Sequence, residues 1–197
     1  MDVLLAPHND DESLFAAFTL LRHRPHVVVC LRSYANGSRY PTREIETAAA
    51  MRVLGCTWEQ WPFPDLDVPW AEVREQIFDL PLRYDRCFAP YPRWAANGHQ
   101  RGSLPGNGFG VQQHDPIGEW AREAFDLRYT GYLTYTRWAG KDRQGVPVVY
   151  EEGWAERKIA ALACYTSQLA DPSTAPHFLA EQHEFYGLEQ HPEPEGA

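Results

Sequence analysis

Val3-Leu4-Leu5-Ala6 runs without polar interruption into Pro7-His8-Asn9-Asp10-Asp11-Glu12, and Leu14, Phe15, Phe18 and Leu21 follow at helical spacing. A short unbroken apolar run predicts a buried strand, and the change of period that follows predicts a helix over Ser13 to Leu21. The cluster of one imidazole and three carboxyls therefore falls at the carboxyl end of a first strand.

The same alternation continues. His26 to Leu31, around Val27-Val28-Val29, predicts a second strand; Thr42 is placed to cap a helix through the Ala-rich segment to Leu54, and Gly55 ends it. A strand over Thr57 to Trp61, a helix over Trp70 to Phe78 and a strand over Arg86 to Ala89 come next. Such alternation predicts an α/β protein with a mostly parallel, Rossmann-like sheet and helices on both faces. With 197 residues, 44% of them apolar, the chain suffices for one core, so we expect a single domain over 1–190 and a flexible tail over 191–197.

From Pro90 to Gln113 the pattern dissolves into a loop long enough to imply a pocket-shaping role. Asp115 is placed to cap the next helix with Pro116 in its first turn, which would leave His114 just outside a helix N-terminus. A strand over Tyr129 to Thr136, an edge hairpin around Val146 to Tyr150 and a long helix over Trp154 to Leu169 complete the expected elements.

The net charge of -9 and the lack of a basic stretch argue against nucleic acid as a partner. Cys30, Cys56, Cys87 and Cys164 are widely spaced and read as core thiols of a reducing compartment. With no leader and no apolar run of bilayer length, a cytoplasmic protein without a membrane span is expected. Oligomeric state leaves no mark in the sequence.

His8 with Asp10, Asp11 and Glu12 is a natural cation site, since imidazole and carboxylate both ligate zinc and clustered carboxylates repel unless a cation offsets them. Acidic residues also suit a helix start on their own, through free N–H groups and the helix dipole. That simpler reading leaves His8 unexplained.

Pro7 to Glu12 resembles the N-terminal signature of the N-acetylglucosaminylphosphatidylinositol de-N-acetylase family, also called PIG-L or LmbE-like. Further segments resemble it in order: Arg43-Glu44-Ile45-Glu46 leading to Leu54-Gly55, Pro64-Asp65, His114 with Ile117-Gly118, and Lys158 to Leu162 with Ser167-Gln168. The resemblance implies a hydrolase that removes acetyl from an N-acetylated amino sugar or sugar conjugate. It assigns His8, Asp11 and His114 as ligands of Zn2+, or of another divalent ion such as Fe2+, and Asp10 as the general base. Three protein ligands leave a coordination position for water, as catalytic zinc requires. Arg43 matches a substrate-binding position, against the alternative of a helix pair with Glu46; Asp65 is a weaker sugar-hydroxyl candidate, against turn formation. Trp94, with Tyr91, offers a stacking face for a sugar or aglycone.

One departure is substantial. Val111 stands where the family writes the first His of His-x-x-His, so that role falls either to His99 or to the metal with Asp10. The same departure admits a non-catalytic, sugar-binding relative that keeps the metal site. Retention of Asp10 separates the two, because a pure binder needs no base beside its metal.

Overall fold

The computed structural model describes residues 1–35, 38–39, 41–92, 109–132, 134, 145–147, 149, 151–176, 178 and 190–192. Five strands, β1 (Val3–Ala6), β2 (His26–Arg32), β3 (Trp58–Pro64), β4 (Cys87–Pro90) and β5 (Tyr129–Tyr132), form one sheet in the order β3-β2-β1-β4-β5. Every pairing in it is parallel, with Val3 in register with both His26 and Cys87. The expected α/β, Rossmann-like single domain is what the chain forms.

Alternation along the strands divides the core in two. Leu4, Ala6, Val27, Val29 and Phe88 face α1 (Asp11–Phe15), α2 (Ala17–His23), α3 (Pro41–Leu54) and α6 (Trp154–Leu162). Val3, Leu5, Val28, Cys30, Cys87 and Ala89 face α4 (Trp70–Asp79) and α5 (Phe109–Phe125). The order of strands reverses between β1 and β4, and ligands of such sheets gather at the carboxyl ends on either side of that reversal. His8 and Asp11 follow β1, and α5 comes after β4.

Gly118 fixes how closely α5 approaches the sheet. A Cβ there would lie 2.0 Å from the Pro90 carbonyl oxygen, so only glycine lets the helix lie against the end of β4. Gly55, at φ +73°, ends α3 as the sequence predicts.

Several boundaries differ from expectation. The helix expected to start at Asp115 begins at Phe109, which puts His114 and Pro116 inside it. Proline costs the helix one hydrogen bond, and the turn ahead of it carries Gln113 and His114, which contact His8 and Asp11. The segment over Ser13 to Leu21 is two helices divided at Ala16, and the long helix over Trp154 to Leu169 divides into α6 and α7 (Thr166–Ala170). At the second break Tyr165 turns into the core and Glu46 caps α7, accepting the Ser167 N–H at 2.7 Å and the Thr166 hydroxyl at 3.0 Å.

Strand β5 stops at Tyr132. Gly145–Pro147, at the start of the expected edge hairpin, pairs antiparallel with Gln190–Pro192. The expected tail thus begins inside a strand pairing, at His191 and Pro192; residues 193–197 lie outside the described ones. Cys30 and Cys87 are buried and unbridged, as expected. Among the described residues no helix is long and apolar enough to cross a membrane.

Candidate metal centre

The turn after β1 is built around Asp10, which adopts φ +119° and ψ −27°. A left-handed conformation costs a non-glycine residue on the order of 1–3 kcal/mol and persists only where its surroundings impose it. Here the Asp10 carbonyl accepts the N–H groups of Ser13 and Leu14, both at 2.9 Å, which starts α1. Its own N–H is donated to Glu12 Oε2 at 3.0 Å. The reversal brings His8 back over Asp11, whose Oδ2 accepts the His8 N–H at 2.8 Å.

Asp11 Oδ2, His8 Nδ1 and His114 Nε2 form a nearly equilateral triangle. Its edges are 3.2 Å from His8 to Asp11, 3.1 Å from His114 to Asp11 and 3.3 Å between the two imidazoles. Gln113 settles which His8 nitrogen faces this centre. Its amide NH2 donates to the Asp65 carbonyl at 2.6 Å, which turns Oε1 toward His8 Nε2 at 2.5 Å. His8 Nε2 therefore carries a proton, and in the neutral ring Nδ1 presents a lone pair. The three atoms converge as the ligands of a cation would.

The spacing identifies the kind of cation that fits. A single shared proton would draw one pair together to about 2.7–2.9 Å and leave the third atom out. Ligands at about 2.0–2.1 Å from a tetrahedral zinc ion stand roughly 3.3–3.4 Å apart, close to the edges observed. His8, Asp11 and His114 are also the described residues whose ligand atoms cluster within 4.8 Å. The donor set fits a divalent metal ion.

The electrostatics agree with this. Burial works against the Asp11 carboxylate, but His114 and His8 outweigh it and hold its pKa well below the usual range. Burial likewise works against charge on His8, and Asp11 more than offsets it, so the His8 pKa is raised. The site holds a carboxylate and attracts positive charge.

Asp10 lies beside the triangle with a different environment. Burial raises its pKa, Arg43 opposes the rise and Asp11 adds to it. Arg43 Nη2 sits 2.5 Å from Asp10 Oδ2 and also donates to the Asn9 carbonyl. Glu12 is fully buried, accepts from Tyr165 and, at 3.0 Å, from Ser13, and burial carries its pKa up to about 7. Its other carboxylate oxygen holds the Asp10 backbone N–H.

The predicted site residues thus divide. His8, Asp11 and His114 converge, and Asp10 adjoins them. Arg43 is committed to Asp10 and Asn9, while the carboxylate of Glu46 is occupied by α7. Asp65 contributes its backbone carbonyl to Gln113. Val111 lies in the first turn of α5 with its side chain outside the described ones; Trp94 and His99 lie outside the described residues altogether.

Sequence reasoning missed Gln113 and Tyr165. The only sign of Gln113 was a polar side chain next to His114, and Tyr165 resembled any core aromatic.

No protein-family model matches the sequence, and no curated protein matches it either. Solved structures do. A triple-mutant deacetylase of the teicoplanin biosynthetic pathway superimposes with a TM-score of 0.65 at 15% identity, covering 96% of this chain and 94% of that one. The zinc-inhibited form of teicoplanin deacetylase Orf2 gives 0.64 at 14%, covering 96% and 95%. GalB, the 4-carboxy-2-hydroxymuconate hydratase of Pseudomonas putida KT2440, gives 0.60 at 14%, covering 92% and 85%. At these identities the likeness establishes a shared fold, one that carries both deacetylases and a hydratase.

Proposed function

We propose that this chain is a divalent-metal hydrolase that removes the acetyl group from an N-acetylated amino sugar or sugar conjugate, with Asp10 as general base. The observation that carries the reading is the triangle of His8 Nδ1, Asp11 Oδ2 and His114 Nε2, with a second, partly buried aspartate beside it. The teicoplanin deacetylases that share the fold support the choice of acetyl transfer to water.

A divalent ion on these three residues supplies Lewis acidity, which in the zinc case brings the ionisation of water to a pKa of about 7. Zn2+ is the expected ion and Fe2+ the alternative. A structural neighbour exists in a zinc-inhibited form, so the metal must be titrated and not simply added.

The protein's own groups handle the proton. Arg43 fixes Oδ2 of Asp10, leaving Oδ1 to accept a proton from the attacking water. As the C–N bond breaks, Asp10 returns that proton to the leaving amine, and acetate and a free amine depart. Burial lifts the basicity of Asp10 above that of an ordinary aspartate, which suits a group that must accept and then release a proton near neutrality. Because Asp10 can serve as both base and acid, the loss of a histidine at Val111 is tolerable.

The test is acetate release from a panel of N-acetylated sugars and conjugates by metal-loaded protein. Asp10→Asn keeps the metal and loses turnover by about 10²–10⁴-fold, the usual worth of a positioned base. Silence across the panel with metal bound favours the sugar-binding relative. Water addition to an unsaturated acid, without acetate release, favours the chemistry of the hydratase that shares the fold.

A further inference from the structure

Two groups fix Asp10 in its left-handed turn, and both rest on one distant side chain. Glu12 Oε2 holds the Asp10 N–H at 3.0 Å, and Glu12 Oε1 accepts the Tyr165 hydroxyl. Arg43 holds the Asp10 carboxylate at 2.5 Å, and its Cζ lies 5.6 Å from the centroid of the Tyr165 ring. The Tyr165 hydroxyl also lies 3.3 Å from Thr47 Oγ1, which takes the Asn9 amide at 3.0 Å. Tyr165 is fully buried and occupies the break between α6 and α7.

We propose that Tyr165 is a positioning residue for Asp10, acting on its backbone through Glu12 and on its carboxylate through Arg43. The proposal rests on the reading of Asp10 as the base. A tyrosine kept only for packing needs one partner for its hydroxyl and an apolar surround for its ring. Tyr165 has that surround on one side, with Phe178 at 5.7 Å between centroids. Its hydroxyl goes to Glu12 and its ring lies beneath the Arg43 guanidinium, the two groups that contact Asp10, and Thr47 extends the same support to Asn9. Residues 9, 10 and 12 are thereby braced from a helix junction far along the chain, and the strained turn stays in place with respect to the donor triangle.

The experiment compares Tyr165→Phe, which keeps the ring under Arg43, with Tyr165→Leu, which removes both contacts. In acetate release from N-acetylglucosaminides, kcat falls about tenfold in the first and about a hundredfold in the second, while KM and the Kd for Zn2+ stay unchanged. In an Asp10→Asn background the same substitutions cause no further loss, because what they position is already absent. An equal loss in both backgrounds, or a matching rise in KM or Kd, would reduce Tyr165 to a packing residue.

Crystal structures of the wild type and Tyr165→Leu supply a second readout. The variant shows Arg43 parted from Asp10 and the Asp10 carboxylate turned away from the donor triangle, with His8 and Asp11 in place; an unchanged Arg43–Asp10 contact overturns the proposal. If the wild type releases no acetate, the deacetylase reading fails, and these structures alone decide whether Tyr165 holds the turn.

Discussion

The two faces of the sheet are built by different rules. Under α4 and the body of α5 the described buried side chains are apolar: Val73, Ile77, Ile117, Ala121 and Phe125. Under α1, α3 and α6 the core is crossed by Glu12, Arg43, Glu46, Thr47 and Lys158, all nearly or fully buried. Lys158 Nζ donates to the Leu14 carbonyl at 3.0 Å, at the end of α1 where carbonyls need donors. One face contributes stability chiefly through buried apolar area, and the other holds the turn that carries His8, Asp10 and Asp11. A strained turn needs directional contacts, which an apolar surface cannot supply.

Breaking the polar face at its centre gives the largest expected effect. Arg43→Met leaves the partly buried Asp10 carboxylate without its partner, and loss of one member of such a pair costs up to about 3–5 kcal/mol, read as a fall in unfolding free energy in urea. Replacing both members, as in Arg43→Met with Asp10→Asn, recovers much of that loss, because no charge is left unpaired. A double variant as unstable as the single one would show that Arg43 stabilises by packing on Tyr165 and not by its charge.

The junction between the faces comes next. Gly118→Ala sets a Cβ against the Pro90 carbonyl, and the overpacking costs about 1–3 kcal/mol. Because α5 also carries His114, metal affinity falls with stability. A stable variant with unchanged affinity would mean that the helix slides without moving its ligand.

What the sequence made legible follows the range of the interactions. The turn after β1 could be read because its ligand and base residues lie within a few positions of a strand end, and β1, β2 and β4 could be read from their apolar runs. His114 was found only by its place in an ordered resemblance. Gln113 and Tyr165 escaped because their partners, His8 and Glu12, lie 105 and 153 positions away. Pro116 misled for the same reason: its local preference for a helix start yields to tertiary contacts made one turn earlier. The polar character of the α3 face was equally hidden, since Arg43 and Glu46 have helical spacing that suits a solvent-exposed pair as well as two separate buried ones.

Gln113→Leu sharpens the contrast at the metal itself. Without the amide, His8 is free to take either tautomer and to rotate, and loss of such an orienting partner lowers metal affinity about 10–100-fold. Titration with Zn2+ checks it, and an unchanged Kd would mean that Asp11 alone orients His8.

The smallest effect tests the apolar face. Ile77 is fully buried among Val73, Leu80 and their neighbours, on the side of the sheet away from Arg43 and Tyr165. Ile77→Val removes one methylene and costs about 0.5–1.5 kcal/mol, with a fall in Tm of about 2–4 °C for each kcal/mol in a domain of this size. Metal affinity and turnover stay as in the wild type, because among the described residues no directional contact joins α4 to the turn. If Ile77→Val weakened Zn2+ binding as much as Gln113→Leu does, the division of labour between the faces would fail: the donor triangle would then depend on overall compactness and not on the polar contacts beneath it.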